Sequence, residues 1–209
     1  MTPDLPPDLV VHLVDDEEAL RDSLAFLFAS RGVETRAWPS GEAFLAAWPQ
    51  PDCGCIILDV RMQGLSGPQV FDLLTEAEGS AASLPPVIFL TGHGDVPLAV
   101  QSLKSGAFDF LEKPFNDDHI VDLALEAMAR HRARRAETLG RADLAARFAA
   151  LSAREVEVMG LILEGQLNKQ IADRLGIAQR TVEVHRARVL QKTGARNSVE
   201  LARLKAQLA

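Results

Sequence analysis

The sequence is poor in the features that mark membrane, secreted and disordered proteins. It has two cysteines and no tyrosine among 209 residues, and it has no Gly/Ser-rich or Pro-rich tract. No apolar run approaches the roughly 20 residues that a bilayer-spanning helix needs, and the N-terminus MTPDLPPDLV lacks the basic and apolar regions of a signal peptide. We therefore expect a globular, cytoplasmic protein without a membrane partner.

The two cysteines, Cys53 and Cys55, are separated by one residue in a predicted strand. Neighbouring side chains on one face of a strand diverge from the backbone, which disfavours an ordinary disulfide between them. A metal site would need further ligands close by in the sequence, and none occur there. We therefore expect two reduced, structural thiols, as is usual in the cytoplasm.

Charge is unevenly distributed along the chain, whose net charge is −7. Residues 1–129 contain six Lys/Arg against 21 Asp/Glu, residues 130–147 contain six against two, and residues 148–209 contain ten against six. The first segment therefore carries −15 and each later segment +4. A chain of this length allows two domains of roughly 100 residues each. An acidic domain joined to a basic one favours a regulator whose tail meets nucleic-acid phosphates over a single-domain enzyme.

Short apolar runs alternate with segments of helical periodicity between residues 9 and 130. Five such pairs predict a (βα)5 domain of the α/β class. Strands that alternate with helices form a parallel sheet covered on both faces, which explains why CIIL and VIFL are apolar throughout. In such a sheet, functional groups gather at the carboxyl ends of the strands.

The remainder of the chain has helical patterns only. Residues 117–149 contain no proline and a single glycine, which predicts one long helix or two helices acting as a connector. Four helical segments follow, each ended or separated by Gly or a cap-type residue. Ser152 and Glu155 form a predicted capping box at the first of these segments, and Asn197 or Ser198 is expected to cap the last.

Polar side chains follow four of the predicted strands. They are Asp15 and Asp16 after LVVHLV, Asp59 after CIIL, Thr91 after VIFL, and Lys113 two residues after AFDFL. Like-charged carboxylates about 4 Å apart cost roughly 4 kcal/mol per pair at an effective dielectric near 20, and a divalent cation removes that cost. Oxygen ligands suit Mg²⁺, which leaves coordination positions for phosphate oxygens. Asp59 is then a candidate nucleophile that forms an aspartyl phosphate, with Lys113 and Thr91 neutralising and orienting the phosphoryl oxygens.

These positions, together with Pro114 after Lys113, resemble the receiver domain of two-component response regulators. The string TGHGDVPLAVQSLKSGAFDFLEKPF, residues 91–115, is similar to the FixJ branch in particular. The resemblance implies a flavodoxin-like fold, a cis Lys113–Pro114 peptide, and Asp59 as phospho-acceptor. The Mg²⁺ ligands that it implies are Asp16, Asp59, the backbone carbonyl of Arg61, and Asp15 mainly through water.

The resemblance also implies a switch. Thr91 would move toward the phosphoryl group, and the aromatic residue of the last strand would swing inward behind it. Because the chain has no tyrosine, that residue is Phe110, which can bury fully without seeking a hydrogen-bond partner. A permanently buried core phenylalanine is the alternative. His93, between Gly92 and Gly94, is expected to be a loop residue and not a proton carrier.

The tail has the pattern of a helix-turn-helix. NKQIADRLG and QRTVEVHRARVLQKTG form a short helix and a longer basic helix around a turn at Gly176, although many basic amphipathic helices are only solvated surfaces. The fuller string LSAREVEVMGLILEGQLNKQIADRLGIAQRTVEVHRARVLQKTGARNSVEL resembles the LuxR/NarL-type domain. That resemblance places the third helix in the major groove and gives the fourth a role in dimerisation.

The groove-facing residues that this resemblance implies are Thr181, Glu183, Val184 and Ala187, and the residues nearer the DNA backbone are Asn168, Lys169, Arg180, Arg188 and Lys192. Some relatives carry Lys at the positions of Glu183 and Ala187. Glu183 either accepts a hydrogen bond from a cytosine amine or lowers affinity by repelling phosphates.

We therefore predict a receiver domain at residues 1–127, a helical linker at 128–147, and a DNA-binding domain at 148–209. The predicted protein is a response regulator with a Mg²⁺ cofactor, phosphorylated on Asp59 by a sensor histidine kinase. Phosphorylation is expected to promote a homodimer through the DVPLAVQSLKSG helix, the AFDFL strand and the helix after it, and thereby promoter binding and contact with RNA polymerase.

Three alternatives compete with this prediction. A phosphatase or phosphotransferase of the haloacid dehalogenase type would carry its nucleophilic aspartate in a DxDxT motif. Asp59 is instead followed by Val60, Arg61 and Met62, so that motif is absent. A degenerate receiver would keep the fold without the chemistry, although every pocket residue is present. A receiver without output is disfavoured by the last 60 residues. No catalysis is expected beyond phosphorylation and dephosphorylation of the chain itself.

Overall fold

The computed structural model describes residues 9–92 and 96–208, so the predicted loop residues His93 and Gly94 lie outside the described part. The chain divides into two compact units, Met1–Ala133 and Arg134–Ala209. The division falls inside the segment predicted as a linker, 128–147. Among the described helices, none combines the length and the apolar character needed to pass through a bilayer.

The first unit contains a parallel five-stranded sheet in the order β2-β1-β3-β4-β5, as predicted for a flavodoxin-like (βα)5 domain. Its strands are β1 (Val10–Val14), β2 (Thr35–Trp38), β3 (Cys53–Asp59), β4 (Val87–Thr91) and β5 (Asp109–Glu112). In the sheet register, Asp59 is opposite Leu90 and Thr91 is opposite Glu112. The polar residues that end these strands therefore share one edge of the sheet.

Helices cover both faces of this sheet. They are α1 (Glu18–Ser30), α2 (Gly41–Ala46), α3 (Gly67–Glu78), α4 (Val96–Lys104) and α5 (Asp117–Ala149), with a short 3-10 helix at Ala81–Ser83. One core contains Phe28 of α1 and Met128 of α5, and the other contains Phe44 of α2 and Phe71 of α3. The runs CIIL of β3 and VIFL of β4 are apolar throughout because both faces of these strands are buried.

A β-bulge near the start of β3 separates the two cysteines. The register with β1 shifts between Val10 and Val11, which pair with Cys53 and Cys55 respectively. The bulge reverses the alternation of side chains, so Cys53 joins the core under α2 and α3 while Cys55 joins the core under α1 and α5. The prediction of two buried free thiols is confirmed, but the expectation that they share one face was wrong.

The second unit is all-helical, as predicted. After the end of α5 it contains α6 (Ala153–Leu163), α7 (Asn168–Leu175), α8 (Gln179–Thr193) and α9 (Ser198–Ala206). Its core joins Leu144 and Phe148 of α5 to Val158, Ile171 and Val182. These residues recur at helical spacing, and their burial is what holds short helices together.

The predicted helix boundaries follow from local chemistry. The Ser152 hydroxyl accepts a hydrogen bond from the Glu155 amide, and the Glu155 carboxylate accepts one from the Ser152 amide, which is the predicted capping box. Asn197 caps α9 through the Glu200 amide. Gly176 ends α7 with a φ of 64°, a conformation that favours glycine. Residues 117–149 form one continuous helix instead of two.

Candidate metal centre and recognition helices

The carboxylates predicted at separate strand ends lie together. One oxygen from each of Asp15, Asp16 and Asp59 lies within 4.8 Å of the other two. The Lys113 ammonium, contributed by the segment after β5, lies 2.6 Å from Asp59 Oδ1 and 2.9 Å from Asp15 Oδ2. Parallel strands end at one edge, which is why residues far apart in the chain meet here.

This cluster combines buried and exposed charges. Asp15 and Asp59 are buried, at 2% and 5% exposure, whereas Asp16 is exposed. Burial raises the pKa of Asp59, and the hydrogen bond from Lys113 opposes that effect only in part. Burial lowers the pKa of Lys113, but its hydrogen bonds to Asp59 and Asp15 outweigh burial and raise it above its usual value. Lys113 therefore stays charged, and one ammonium faces three carboxylates.

Of the predicted switch pair, Thr91 ends β4, whereas Phe110 is the second residue of the neighbouring strand β5 and lies opposite Phe89. Thr91 is fully buried, and within residues 9–92 and 96–208 its hydroxyl has no hydrogen-bond partner. An unpaired buried hydroxyl costs about 1–3 kcal/mol, so such a group usually marks a functional position. Phe110 is half-buried at the margin of the core under α2 and α3.

The donor set fits a hard divalent cation beside a phosphoryl group. Three clustered carboxylate oxygens are ligands that suit Mg²⁺. The Thr91 hydroxyl, unpaired among the described residues, and the Lys113 ammonium are donors that suit phosphoryl oxygens. The Lys113–Pro114 peptide is cis, in agreement with the prediction.

Backbone contacts that the sequence did not reveal also shape this pocket. The Arg21 guanidinium donates to the carbonyl oxygen of Asp15 at 2.7 Å. A Cβ at Gly67, the first residue of α3, would lie 2.3 Å from the Asp59 carbonyl oxygen, so only glycine allows this approach. Neither role has a sequence signal, because each depends on how a helix packs beside the strand ends.

The residues predicted to contact DNA are mostly on the surface of the second unit. Exposed members of this set are Lys169, Arg180, Thr181, Val184, Ala187, Arg188 and Lys192, whereas Asn168 and Glu183 are half-buried. A cavity of about 510 Å³ brings Asn168 and Lys169 of α7 beside Gln179 and Arg186 of α8. Sequence reasoning did not include Gln179 and Arg186 in this set, although Arg186, which is half-buried, belongs to the basic pattern of α8.

Lys192 and Glu183 make contacts inside the unit. The Lys192 ammonium lies 2.7 Å from Glu155 Oε2 and donates to the Ala150 carbonyl at 3.1 Å. The pKa of the buried Glu155 is lowered to about 2, chiefly by the hydrogen bond from Lys192 and next by that from the Ser152 amide. Glu183 accepts a hydrogen bond from the Arg180 guanidinium at 3.2 Å. Lys192 therefore ties the end of α8 to the start of α6.

Family models match both units. Residues 11–125 match the response regulator receiver domain, and residues 149–205 match the bacterial regulatory proteins of the luxR family. The first match spans the strand ends described above, and the second spans α6 to α9.

Full-length relatives share this organisation. The chain is 68% identical over 195 residues to the C4-dicarboxylate transport transcriptional regulatory protein DctR of Rhodobacter capsulatus, covering 93% of this chain and 98% of that protein. It is 44% identical over 200 residues to the transcriptional regulatory protein FixJ of Azorhizobium caulinodans, covering 96% and 93% respectively.

Solved structures of similar proteins agree with these matches. The response regulator StyR matches with a TM-score of 0.88 at 34% identity, covering 96% of this chain and 99% of that chain. Full-length FixJ from B. japonicum matches with a TM-score of 0.59 at 40% identity, covering 95% and 96%. The chain therefore belongs to the FixJ-like response regulators of two-component systems, which join a receiver domain to a LuxR-type DNA-binding domain.

Proposed function

We propose that this protein is a transcription factor switched by phosphorylation of Asp59, with a sensor histidine kinase as phosphoryl donor. The observation that carries the proposal is the meeting of Lys113, the carboxylate cluster and the unpaired Thr91 hydroxyl at one strand edge. A general surface cluster of acids would need neither a half-buried lysine between two carboxylates nor a buried hydroxyl without a partner among the described residues.

The proposed reaction is a transfer to a carboxylate. An oxygen of Asp59 attacks the phosphorus of a phosphohistidine, the P–N bond breaks, and the imidazole leaves with a proton as the acyl phosphate P–O bond forms. Lys113 neutralises charge on the transferred group, and the Thr91 hydroxyl donates to a phosphoryl oxygen. Charge stabilisation and positioning supply most of the catalysis in such transfers.

A Mg²⁺ ion would be held by Asp16, Asp59 and the carbonyl of Arg61, with Asp15 acting mainly through water. When bound, it would neutralise the carboxylates and the phosphoryl oxygens during transfer. Lys113 alone balances one of the three negative charges in this cluster, which supports the need for a second cation.

The proposed output is cytoplasmic promoter binding by a homodimer. Phosphorylation would pair two receivers through the face of α4, β5 and the start of α5, and the paired tails would bind half-sites about one helical turn apart. Bound DNA would then present the dimer to RNA polymerase. Light scattering with and without acetyl phosphate tests the dimer, and an unchanged mass would refute it.

The test of the switch uses acetyl phosphate as donor. We expect the wild-type protein to gain one acid-labile phosphoryl group with Mg²⁺ present and to shift promoter DNA at a lower concentration. Asp59→Asn should lose both effects, and Asp72→Asn, an exposed aspartate of α3, should retain both. Labelling of Asp59→Asn at the wild-type level would refute the proposal.

We further propose that the target promoters control C4-dicarboxylate transport. The 68% identity to the R. capsulatus regulator over nearly the whole length of both proteins supports this assignment. In gel-shift assays, the phosphorylated protein should prefer DNA upstream of C4-dicarboxylate transport genes to a shuffled sequence of equal length. Equal affinity for the two DNAs would refute the target while leaving the switch intact.

A further inference from the structure

The segment between β3 and α3, residues 60–66, is held to the rest of the first unit by carboxylates. The Arg61 amide donates to Asp59 Oδ2 at 3.0 Å, and the Gln63 amide donates to Asp16 Oδ2 at 3.0 Å. Both acceptors belong to the carboxylate cluster proposed to hold Mg²⁺. A cation coordinated by these oxygens would compete with the Arg61 and Gln63 amides, whose hydrogen bonds hold the segment in place.

A third carboxylate holds the same segment from outside the cluster. Glu42, in the first turn of α2, accepts a hydrogen bond from the Leu65 amide at 2.8 Å. Its carboxylate also lies over Gly64, where a Cβ would be 2.3 Å from Glu42 Oε1 and φ is +80°. Hydrogen bonds from its own amide, from Leu65 and from Ser40 lower the pKa of Glu42, so it stays ionised at neutral pH.

We infer that Glu42 is a positioning residue for the metal centre, an inference that rests on the proposed function. Among the described residues, amides of this segment donate to Asp59, Asp16 and Glu42. Asp59 and Asp16 are proposed metal ligands, whereas Glu42 is not. It therefore keeps its hydrogen bond to Leu65 when Mg²⁺ binds. That bond would hold the segment in place, so that the Arg61 carbonyl could serve as a ligand to the cation.

The test compares Glu42→Ala, Glu42→Gln and the matched control Glu76→Ala, which removes an exposed glutamate of α3. Amide NMR of the full-length protein titrated with MgCl₂ gives the Mg²⁺ affinity without any phosphoryl transfer. Hydrogen exchange at the Leu65 amide reports the bond itself. Phosphorylation rates with acetyl phosphate, measured across Mg²⁺ concentrations, separate weaker metal binding from slower transfer.

We expect Glu42→Ala to weaken Mg²⁺ binding roughly tenfold, as is typical when a group that orients a metal ligand is removed. The Leu65 amide should lose protection, and saturating Mg²⁺ should restore the rate of phosphorylation. Glu42→Gln keeps an oxygen acceptor, so it should bind Mg²⁺ nearly as the wild type does. Glu76→Ala should match the wild type in every measurement.

Two results would overturn the inference. One is equal Mg²⁺ affinity in Glu42→Ala and Glu76→Ala, and the other is equal weakening in Glu42→Gln and Glu42→Ala, which would assign the effect to charge. In either case the wild type would still bind Mg²⁺ and become phosphorylated. A wild-type protein that does neither would refute the proposed function itself, so the two failures are distinguishable.

Discussion

Acid should destabilise the first unit through His12, a buried histidine in the middle of β1. Its side chain is fully buried, and its ring is nearly parallel to that of Trp38, with 5.9 Å between centroids and an interplanar angle of 8°. The Trp38 indole N–H donates to His12 Nδ1 at 3.0 Å, so the proton of the neutral imidazole must be on Nε2. Protonation of His12 would break this hydrogen bond and place a charge inside the core.

The size of the effect follows from the pKa of His12. Burial lowers it from 6.5 to about 4, with a smaller contribution from the charge of Arg36. Between these values the unfolded chain binds a proton that the folded chain does not, so the free energy of unfolding falls as pH decreases. Each pKa unit corresponds to about 1.4 kcal/mol, which gives a loss of about 3 kcal/mol that is complete near pH 4 and absent above pH 7.

Urea denaturation between pH 4 and pH 7.5 measures this loss. Both tryptophans of the chain, Trp38 and Trp48, belong to the first unit, so their fluorescence reports its unfolding in the full-length protein. The comparison is His12→Asn, which does not titrate and retains an acceptor for the indole N–H. The wild type should lose about 3 kcal/mol more than this variant on acidification. Parallel pH profiles would refute the assignment of a neutral, buried His12.

Four other substitutions test three separate features. Gly67→Ala places a Cβ 2.3 Å from the Asp59 carbonyl oxygen. It should therefore lower the free energy of unfolding by about 2 kcal/mol and slow phosphorylation. Unchanged urea denaturation curves would contradict this. Thr91→Val removes a buried hydroxyl that is unpaired among the described residues, so it should stabilise the first unit by about 1 kcal/mol. The same substitution should abolish the gain in DNA binding on phosphorylation. Gel shifts that keep this gain would contradict the switch. Lys169→Ala should reduce the slope of log affinity against log salt concentration by about one unit. Lys192→Met should leave this slope unchanged and lower the melting temperature, because the Lys192 ammonium forms its ion pair within the second unit. Equal slopes for the two variants would reject this distinction.

The pocket was predictable because its members follow apolar runs. Hydrophobic periodicity locates the ends of strands, and a parallel sheet brings those ends to one edge, so Asp15, Asp59 and Lys113 meet without any local signal joining them. The capping box at Ser152 was predictable for a different reason, because its chemistry is local and lies within four consecutive residues.

Contacts between a helix and a distant loop were not predictable. Glu42 and Leu65 are 23 residues apart, and their hydrogen bond depends on how α2 packs beside the segment after β3. Lys192 has the spacing of a phosphate contact, and the approach of α8 to α6 also gives its ammonium a buried carboxylate, which no sequence pattern indicates. Sequence patterns reveal which face of a helix is polar, whereas tertiary packing decides which partner that face meets.

The bulge in β3 makes the thiols of this protein a reporter of sheet opening. Cys53 and Cys55 lie on opposite sides of the backbone layer, and burial raises the pKa of both far above the usual thiol value. Alkylating reagents need a thiolate that solvent can reach, so neither sulfur reacts while the sheet is intact. The rate of cysteine alkylation in the native protein therefore rises with the population of molecules in which this sheet is open, and Cys53 and Cys55 report it from opposite faces.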